Sequence, residues 1–354
     1  VPDLPEVIAD DRMDIDWYNP ERKVQEGDLH PDLPSQEADD SHTVLELAYD
    51  SSGPSSWAGL MRLLSKTGND YSKYQFVELW VNDGGPVSQS TGKLNIDLGN
   101  ISEDYYPLRA PNGELDTEDV DVPPNGFDAD EDVGLDTVEG EDGQGVAGDD
   151  GNDDYYFEYG SDDYTGINGT ERNDRLDTED LNGNGYVDRD NSYWTLSVDL
   201  SDTTYLVQDN SELVAGNYWR KYRIPLSDAV SLNGMGTWTS IKSARVWTDG
   251  LPVGPGEFMI GSMDLLGSQW EPQPVVDASG IAVPDTSTVG FRVGTKNTKE
   301  DVDYVPPFDP GTDEDTNLPK REQSLFLLYE DLPADHTASA RKVFYSEEDY
   351  TGYQ

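Results

Sequence analysis

Between residues 43 and 110, several stretches carry apolar side chains at every second position. In "TVLELAYD", Val44, Glu46 and Ala48 alternate with Leu45, Leu47 and Tyr49. In "QFVELWVND", Val77, Leu79 and Val81 alternate with Phe76, Glu78 and Trp80, and in "KLNIDLG" Leu94, Ile96 and Leu98 alternate with polar neighbours. A period of two marks strands with one face on a core. "WAGLMRLLS" at 57–65 suits a short helix or a strand, and the surrounding pattern favours the strand. The alternation stops near 111 and resumes at "YWTLSVDL" (193–200), where Trp194, Leu196, Val198 and Leu200 share a face. "YWRKYRIPLSD", "SIKSARVWTDG" and "EFMIGSMDLLGSQW" follow, separated by turn residues. Short strands without clear helices predict an all-β fold, an antiparallel β-sandwich of jelly-roll type. It is expected to span 41–272, with a long insertion at about 111–192. Residues 1–40, rich in Pro and Asp, read as an extended acidic arm with one short strand around Met13–Trp17. Residues 273–320 read as a linker with short strands.

A repeat adds to this organisation. "EQSLFLLYEDLPADHTASARKVFYSEEDYTGYQ" at 322–354 parallels "SHTVLELAYDSSGPSSWAGLMRLLSKTGNDYSKYQ" at 41–75. Both carry an apolar strand ending in Tyr and an acid (Tyr49-Asp50, Tyr329-Glu330), a turn and a second apolar run. Both finish Asp-Tyr-x-x-Tyr-Gln (Asp70 to Gln75, Asp349 to Gln354). Residues 321–354 are therefore expected to be the first strands of a second, truncated sandwich in an array of such units.

Charge changes the reading of the insertion. The 354 residues hold 73 acids and 23 bases, a formal net charge of −50. Such a chain repels phosphate backbones, which excludes nucleic acid as a partner, and it disfavours anionic membrane surfaces. There is no cysteine, so disulfides and thiolate chemistry are excluded. No apolar run is long enough for a membrane helix. Between 111 and 190 there are 27 acids and 3 bases, with many Gly and Asn. Such a segment cannot build an apolar core and is expected to be ordered only if something neutralises it.

The clearest chemical spacing lies there. Leu-Asp-Thr-Glu-Asp occurs at 115–119 and again at 176–180, and the second copy runs on as "LNGNGYVDRDN". From Asp180, side-chain oxygens fall at positions 1, 3, 5 and 9 (Asp180, Asn182, Asn184, Asp188), with Gly185 at position 6. Tyr186 would lend its backbone carbonyl at position 7. Hard oxygens converging around a glycine turn suit Ca2+. Position 12 is Asn191 rather than the bidentate Glu of an EF-hand, and Asp190 or Asp177 could add a carboxylate. "FDADEDVGLD" offers Asp128, Asp130 and Asp132 as a weaker cation site. The competing reading of each is a turn with solvated acids. For catalysis the chain offers no His-based motif, and among 73 acids a carboxylate pair carries no information, so no enzyme is expected. Trp80, Trp219, Trp238 and Trp247 are candidates for stacking on sugars, each beside strand positions that suit core, and core is the favoured reading.

Several phrases in order resemble one family. "YSKYQFVELWVND", "GKLNIDLGNISED", "NGELDTED", "LDTEDLNGNGYVDRDN", "YWRKYRIPL", "SIKSARVWTDG" and "REQSLFLLYEDL" are similar to runs of the SprA/Sov family, the outer-membrane translocon of the type IX secretion system. The resemblance covers roughly 40–354. It implies a soluble, non-enzymatic lobe of a cell-envelope translocon, periplasmic or extracellular and associated with gliding motility. Implied partners are the translocon barrel, associated outer-membrane proteins and secreted cargo. Apart from the resemblance, the alternative is a carbohydrate-binding jelly-roll module of a secreted or cell-surface protein, with glycans as partners.

Overall fold

The structure, a computed structural model, describes residues 11–21, 23–31, 33, 38–104, 111–121, 125–140, 147, 153–267, 270–283, 290–298, 304–308, 311 and 322–342. The chain falls into two compact units, one made of 1–23, 43–72 and 77–264, the other of 24–42, 73–76 and 265–354.

The first unit is an antiparallel β-sandwich. One sheet runs in the order β1 (Asp14–Tyr18), β4 (Leu45–Ser51), β13 (Gly254–Leu266), β6 (Phe76–Asn82), β10 (Arg220–Pro225), β9 (Leu206–Asp209). The other runs β11 (Val230–Leu232), β8 (Ser192–Asp199), β7 (Lys93–Asn100), β12 (Ser243–Asp249), β5 (Trp57–Leu63). The 57–65 segment is a strand, and the N-terminal stretch expected as an arm contributes β1 at a sheet edge, with Ile15 opposite Tyr49 and Trp17 opposite Leu47.

The core follows the alternation. Val77, Leu79, Val81, Tyr222, Ile224, Phe258, Ile260 and Leu47 from the six-stranded sheet are buried. So are Leu94, Ile96, Leu98, Leu196 and Val198 from the five-stranded sheet, where Leu94 stands opposite Val198 and Ile96 opposite Leu196. Met13, Ala58 and Leu251 make one apolar cluster, with Ile15 and Tyr49 packed against it. Arg220 is wholly buried; it donates to the Leu200 carbonyl and pairs with Asp83 at 2.5 Å, so its charge is matched.

In the second unit, β14 (Trp270–Val276) pairs with β17 (Thr337–Lys342), and β15 (Gly290–Asn297) pairs with β16 (Gln323–Glu330). A two-residue pair, β2 (Val24–Gln25) with β3 (Ser41–His42), and one turn of helix, α1 (Glu26–Leu29), complete it. β14 straddles the boundary expected at 272. The Asp349–Gln354 half of the sequence repeat lies outside the described residues.

Candidate functional site

The insertion has an internal order that its composition hides. The two Leu-Asp-Thr-Glu-Asp copies pair with each other as antiparallel backbone, Thr117 opposite Thr178. Glu118 N–H donates to the Asp177 carbonyl and Glu179 N–H to the Asp116 carbonyl. The side chains repeat the exchange. Glu118 Oε1 accepts from Asp177 N–H at 2.5 Å, and Glu179 Oε2 accepts from Asp116 N–H at 3.2 Å. Thus each copy's glutamate holds the other copy's backbone, in a near two-fold arrangement.

A three-residue unit recurs around this centre: Ser102-Glu103-Asp104, Thr117-Glu118-Asp119, Thr178-Glu179-Asp180. In each, the hydroxyl oxygen accepts the aspartate's N–H two residues on. In each, the aspartate then closes an Asn-Gly turn. Asp104 accepts from Asn112 and Gly113, Asp119 from Asn125 and Gly126, Asp180 from Asn184 and Gly185. The glycines sit at φ 79°, 98° and 81°, the left-handed region that a Cβ resists. The glutamates reach other segments. Glu103 accepts from Asp188 N–H, and Glu118 also accepts from Val133 and Gly134.

Glu103, Asp104, Glu118, Asp119, Asp136, Asp153, Glu171 and Glu179 are all buried here. Burial, with Asp177 and Asp132 close by, raises Glu118 to about 7. Burial, then the Asp188 and Asp180 charges, raises Glu103, and burial raises Asp177. Arg189 reaches Asp104 at 2.9 Å and Arg172 reaches Glu171 at 3.2 Å.

The predicted calcium residues are partly brought together. Asn182 and Asn184 both donate to Asp188 Oδ2, at 2.7 and 3.1 Å, and Asn182 also donates to Glu103. Yet amide N–H groups, not oxygens, face Asp188, and Asp180 is spent on its own turn. Tyr186 is exposed. Asn191 belongs to the sandwich instead, accepting from Ser102 N–H. Asp177 lies with Glu118 and Asn173. Asp128 bonds Asn125, whereas Asp132 accepts from Asn173 and Asp174, so Asp128, Asp130 and Asp132 do not converge. Among the described residues no three acidic or imidazole groups gather as a metal shell. In this structure the residues at 180–191 form a hydrogen-bonded turn. Backbone N–H groups bond the Asp180 carboxylate, and side-chain amides bond Asp188 Oδ2.

The candidate tryptophans need correction. Trp80, Trp219 and Trp247 are 3%, 3% and 2% exposed and present no face to a sugar. Period-two strand positions that look alike in sequence are separated only by what covers them. Trp247 lies on the outer face of the five-stranded sheet, where its indole N–H and Arg245 both donate to Asp97, each at 2.9 Å. Burial nevertheless pushes the Asp97 carboxyl upward. Gly59 faces Trp247 across the strands, and a Cβ there would meet the Trp247 Cβ at 2.5 Å. Trp238 is half-buried and stacks on Trp194, ring centroids 5.0 Å apart.

The aromatic surface that sequence reasoning missed is a loop of the insertion, 155–164. Tyr156 and Tyr159 are 62% and 84% exposed, and Tyr155 is also exposed. Tyr164 anchors the loop to the sheet edge, stacked on Tyr18 at 3.8 Å and 4°, with Phe157 stacked behind it at 5.5 Å. Asn168 accepts from Trp17 N–H and donates to the Trp17 carbonyl, as a strand neighbour would. The tyrosine run "DDYYFEYGSDDY" carried the signal, but the acids around it read as solvated loop.

No family model and no curated protein matches the chain. Among solved structures it is similar to a family 11 carbohydrate-binding module from Clostridium thermocellum in complex with a β-1,3-1,4-mixed-linked tetrasaccharide. That match has 10% identity and a TM-score of 0.30, covering 72% of this chain and 84% of that one. It is also similar to the family 11 module of the cellulosomal cellulase Lic26A-Cel5E of Clostridium thermocellum. That match has the same identity and score and covers 72% and 82% of the two chains. The likeness is slight, and the sheets described above stand without it.

Proposed function

We propose that this chain is a non-catalytic carbohydrate-binding β-sandwich module, with the tyrosine loop 155–164 as its glycan platform. The observation that carries the reading is the exposure of Tyr155, Tyr156 and Tyr159 on a loop held by the Tyr164–Tyr18 stack and the Asn168–Trp17 bonds. Rings fixed before binding lose little entropy when a sugar face stacks on them. Asp154, Glu158, Asp162 and Asp163 border the rings, and no base stands in 153–171. Carboxylates accept from sugar hydroxyls and repel anionic polymers, so a neutral glycan is the ligand class. Calorimetry against soluble neutral β-glucans is the test. Binding should fall about tenfold or more in Tyr156→Ala/Tyr159→Ala. Binding unchanged in that variant, or absent from the unaltered protein across such glycans, overturns the reading.

We propose as well that divalent cations, calcium first, order the insertion as a whole. The support is electrostatic: six buried carboxylates share this segment with few bases, and buried Glu103 and Asp104 border it. The proposal concerns charge neutralisation and assigns no shell at 180–191. Equal melting in EDTA and in millimolar calcium would sink it. The translocon-lobe reading rests on its sequence phrases. Recovery of this chain with outer-membrane barrel proteins, together with no glycan binding, would favour it over the glycan reading.

A further inference from the structure

We infer that Glu118, the glutamate of the first Leu-Asp-Thr-Glu-Asp copy, is the positioning residue of the tyrosine loop and holds its base through two hydrogen-bonded routes; the consequence for a glycan rests on the reading of 155–164 as the platform.

The loop stands on a stem. Tyr155 N–H donates to the Glu171 carbonyl and Glu171 N–H to the Asp153 carbonyl, at 2.9 and 2.8 Å. Tyr156 N–H donates to the Gly166 carbonyl at 3.0 Å. The incoming and outgoing arms are thus laced together at the exposed rings. A lone two-stranded stem is marginal in water and needs a further layer. At the sheet edge, Tyr18 and Trp17 hold the outgoing arm at Tyr164 and Asn168. Glu118 holds the stem from another side.

Glu118 is 1% exposed and uses both carboxylate oxygens. Oε2 accepts from Val133 N–H and Gly134 N–H, at 3.1 and 3.0 Å. Val133 bridges Glu171 as antiparallel backbone, which adds a third layer to the stem. Gly134 lies against Asp153, and a Cβ there would collide with the Asp153 carboxylate. This is the first route.

The second starts at Oε1, which accepts from Asp177 N–H at 2.5 Å. The Asp177 carboxylate accepts from the Asn173 side-chain amide at 2.5 Å, and the same amide donates to the Gly169 carbonyl at 3.1 Å. Gly169 presses on the incoming arm, where a Cβ would collide with the Asp154 carbonyl and the Tyr155 nitrogen. One buried carboxyl group therefore fixes both arms of the stem. Removing its oxygens leaves three N–H groups without their acceptor.

Hydrogen exchange read by mass spectrometry on the whole chain at one pH tests the hold, and calorimetry against soluble neutral β-glucans tests its consequence. Glu118→Met keeps the side chain's length and removes every acceptor. Exchange in 153–157 and 166–171 should then quicken about tenfold or more. Glu118→Gln keeps an acceptor oxygen and should recover part of the protection. Asp119→Ala opens the Asn125-Gly126 turn of the same insertion and should leave the stem protected. If Glu118→Met loosens the whole insertion, Asn173→Ala decides, because it cuts the second route: 166–171 should quicken while 115–119 stays protected. Glu118→Met should bind a glycan about threefold or more weakly with the binding enthalpy kept, since the rings remain and only their ordering is lost. Unchanged exchange of the stem in Glu118→Met and Asn173→Ala, equal loosening in Asp119→Ala, or a loosened stem with unchanged glycan affinity would each overturn the inference. No glycan binding by the unaltered protein would overturn the glycan reading, and the exchange result would then decide the hold on the loop.

Discussion

Two regions of the first unit are ordered by opposite means. The sandwich buries Phe258, Tyr222, Leu79 and Ile96 and loses apolar surface to water. The insertion between β7 and β8 buries glutamates and aspartates instead; between 111 and 190 Leu135 is its buried large apolar side chain among the described residues. Its order comes from carboxylates that accept backbone N–H groups in loops with no sheet to satisfy them. The first device is stable over a wide pH range. The second depends on protonation and counter-charge, because each carboxylate brought in adds repulsion to the last.

The largest effect expected is in the sandwich. Phe258→Ala leaves a cavity in a fully buried site and should cost about 3–5 kcal/mol in denaturant unfolding. If the unfolding midpoint hardly moves, the apolar core is not what holds the unit. Arg245→Met strands the buried Asp97 charge and should cost about 3 kcal/mol or more. Adding Asp97→Asn should return part of that loss, and an additive double variant would show the pair uncoupled. Gly59→Ala drives a Cβ into Trp247 and should cost about 1–3 kcal/mol by the same measurement. In the insertion, Gly126→Ala puts a side chain at φ 98° and should cost about 1–2 kcal/mol. That loss should appear as faster proteolysis within 111–190, with the sandwich midpoint unchanged.

The smallest effect separates the regions by pH. Glu118 titrates near 7 when folded, above its ordinary 4.5, so the folded insertion holds the proton more tightly. Its contribution to stability is full below about 4.5 and is lost as pH rises through about 7. Hydrogen exchange in 115–119 and 176–180 should therefore quicken between pH 5 and pH 8 beyond the intrinsic chemical increase. The strands β7 and β12 should show no such excess. An equal excess in both regions would contradict the division.

Much of the sandwich was legible because strand alternation is a local property. Val77, Leu79 and Val81 declare their shared face without any partner in view. The same locality left Trp80 and Trp247 open between core and sugar stacking. They sit on the opposite face from the apolar rows, and only the elements laid over that face decide that they are buried. The insertion was less legible for a different reason. Asp180, Asn182, Asn184 and Asp188 have a ligand-like spacing, but spacing along a chain does not say whether an oxygen meets a cation or a backbone N–H.

By itself, the sequence determined the strands, their inward faces and the place of the acidic insertion. Each of these is written in near-neighbour periodicity or in local composition. Only the tertiary structure decided that the two Leu-Asp-Thr-Glu-Asp copies grip each other, and that a tyrosine loop is pinned at the sheet edge. Those facts depend on which distant segments come within hydrogen-bond reach. A chain folds to satisfy its buried donors and acceptors across such distances, and no local pattern records the pairing.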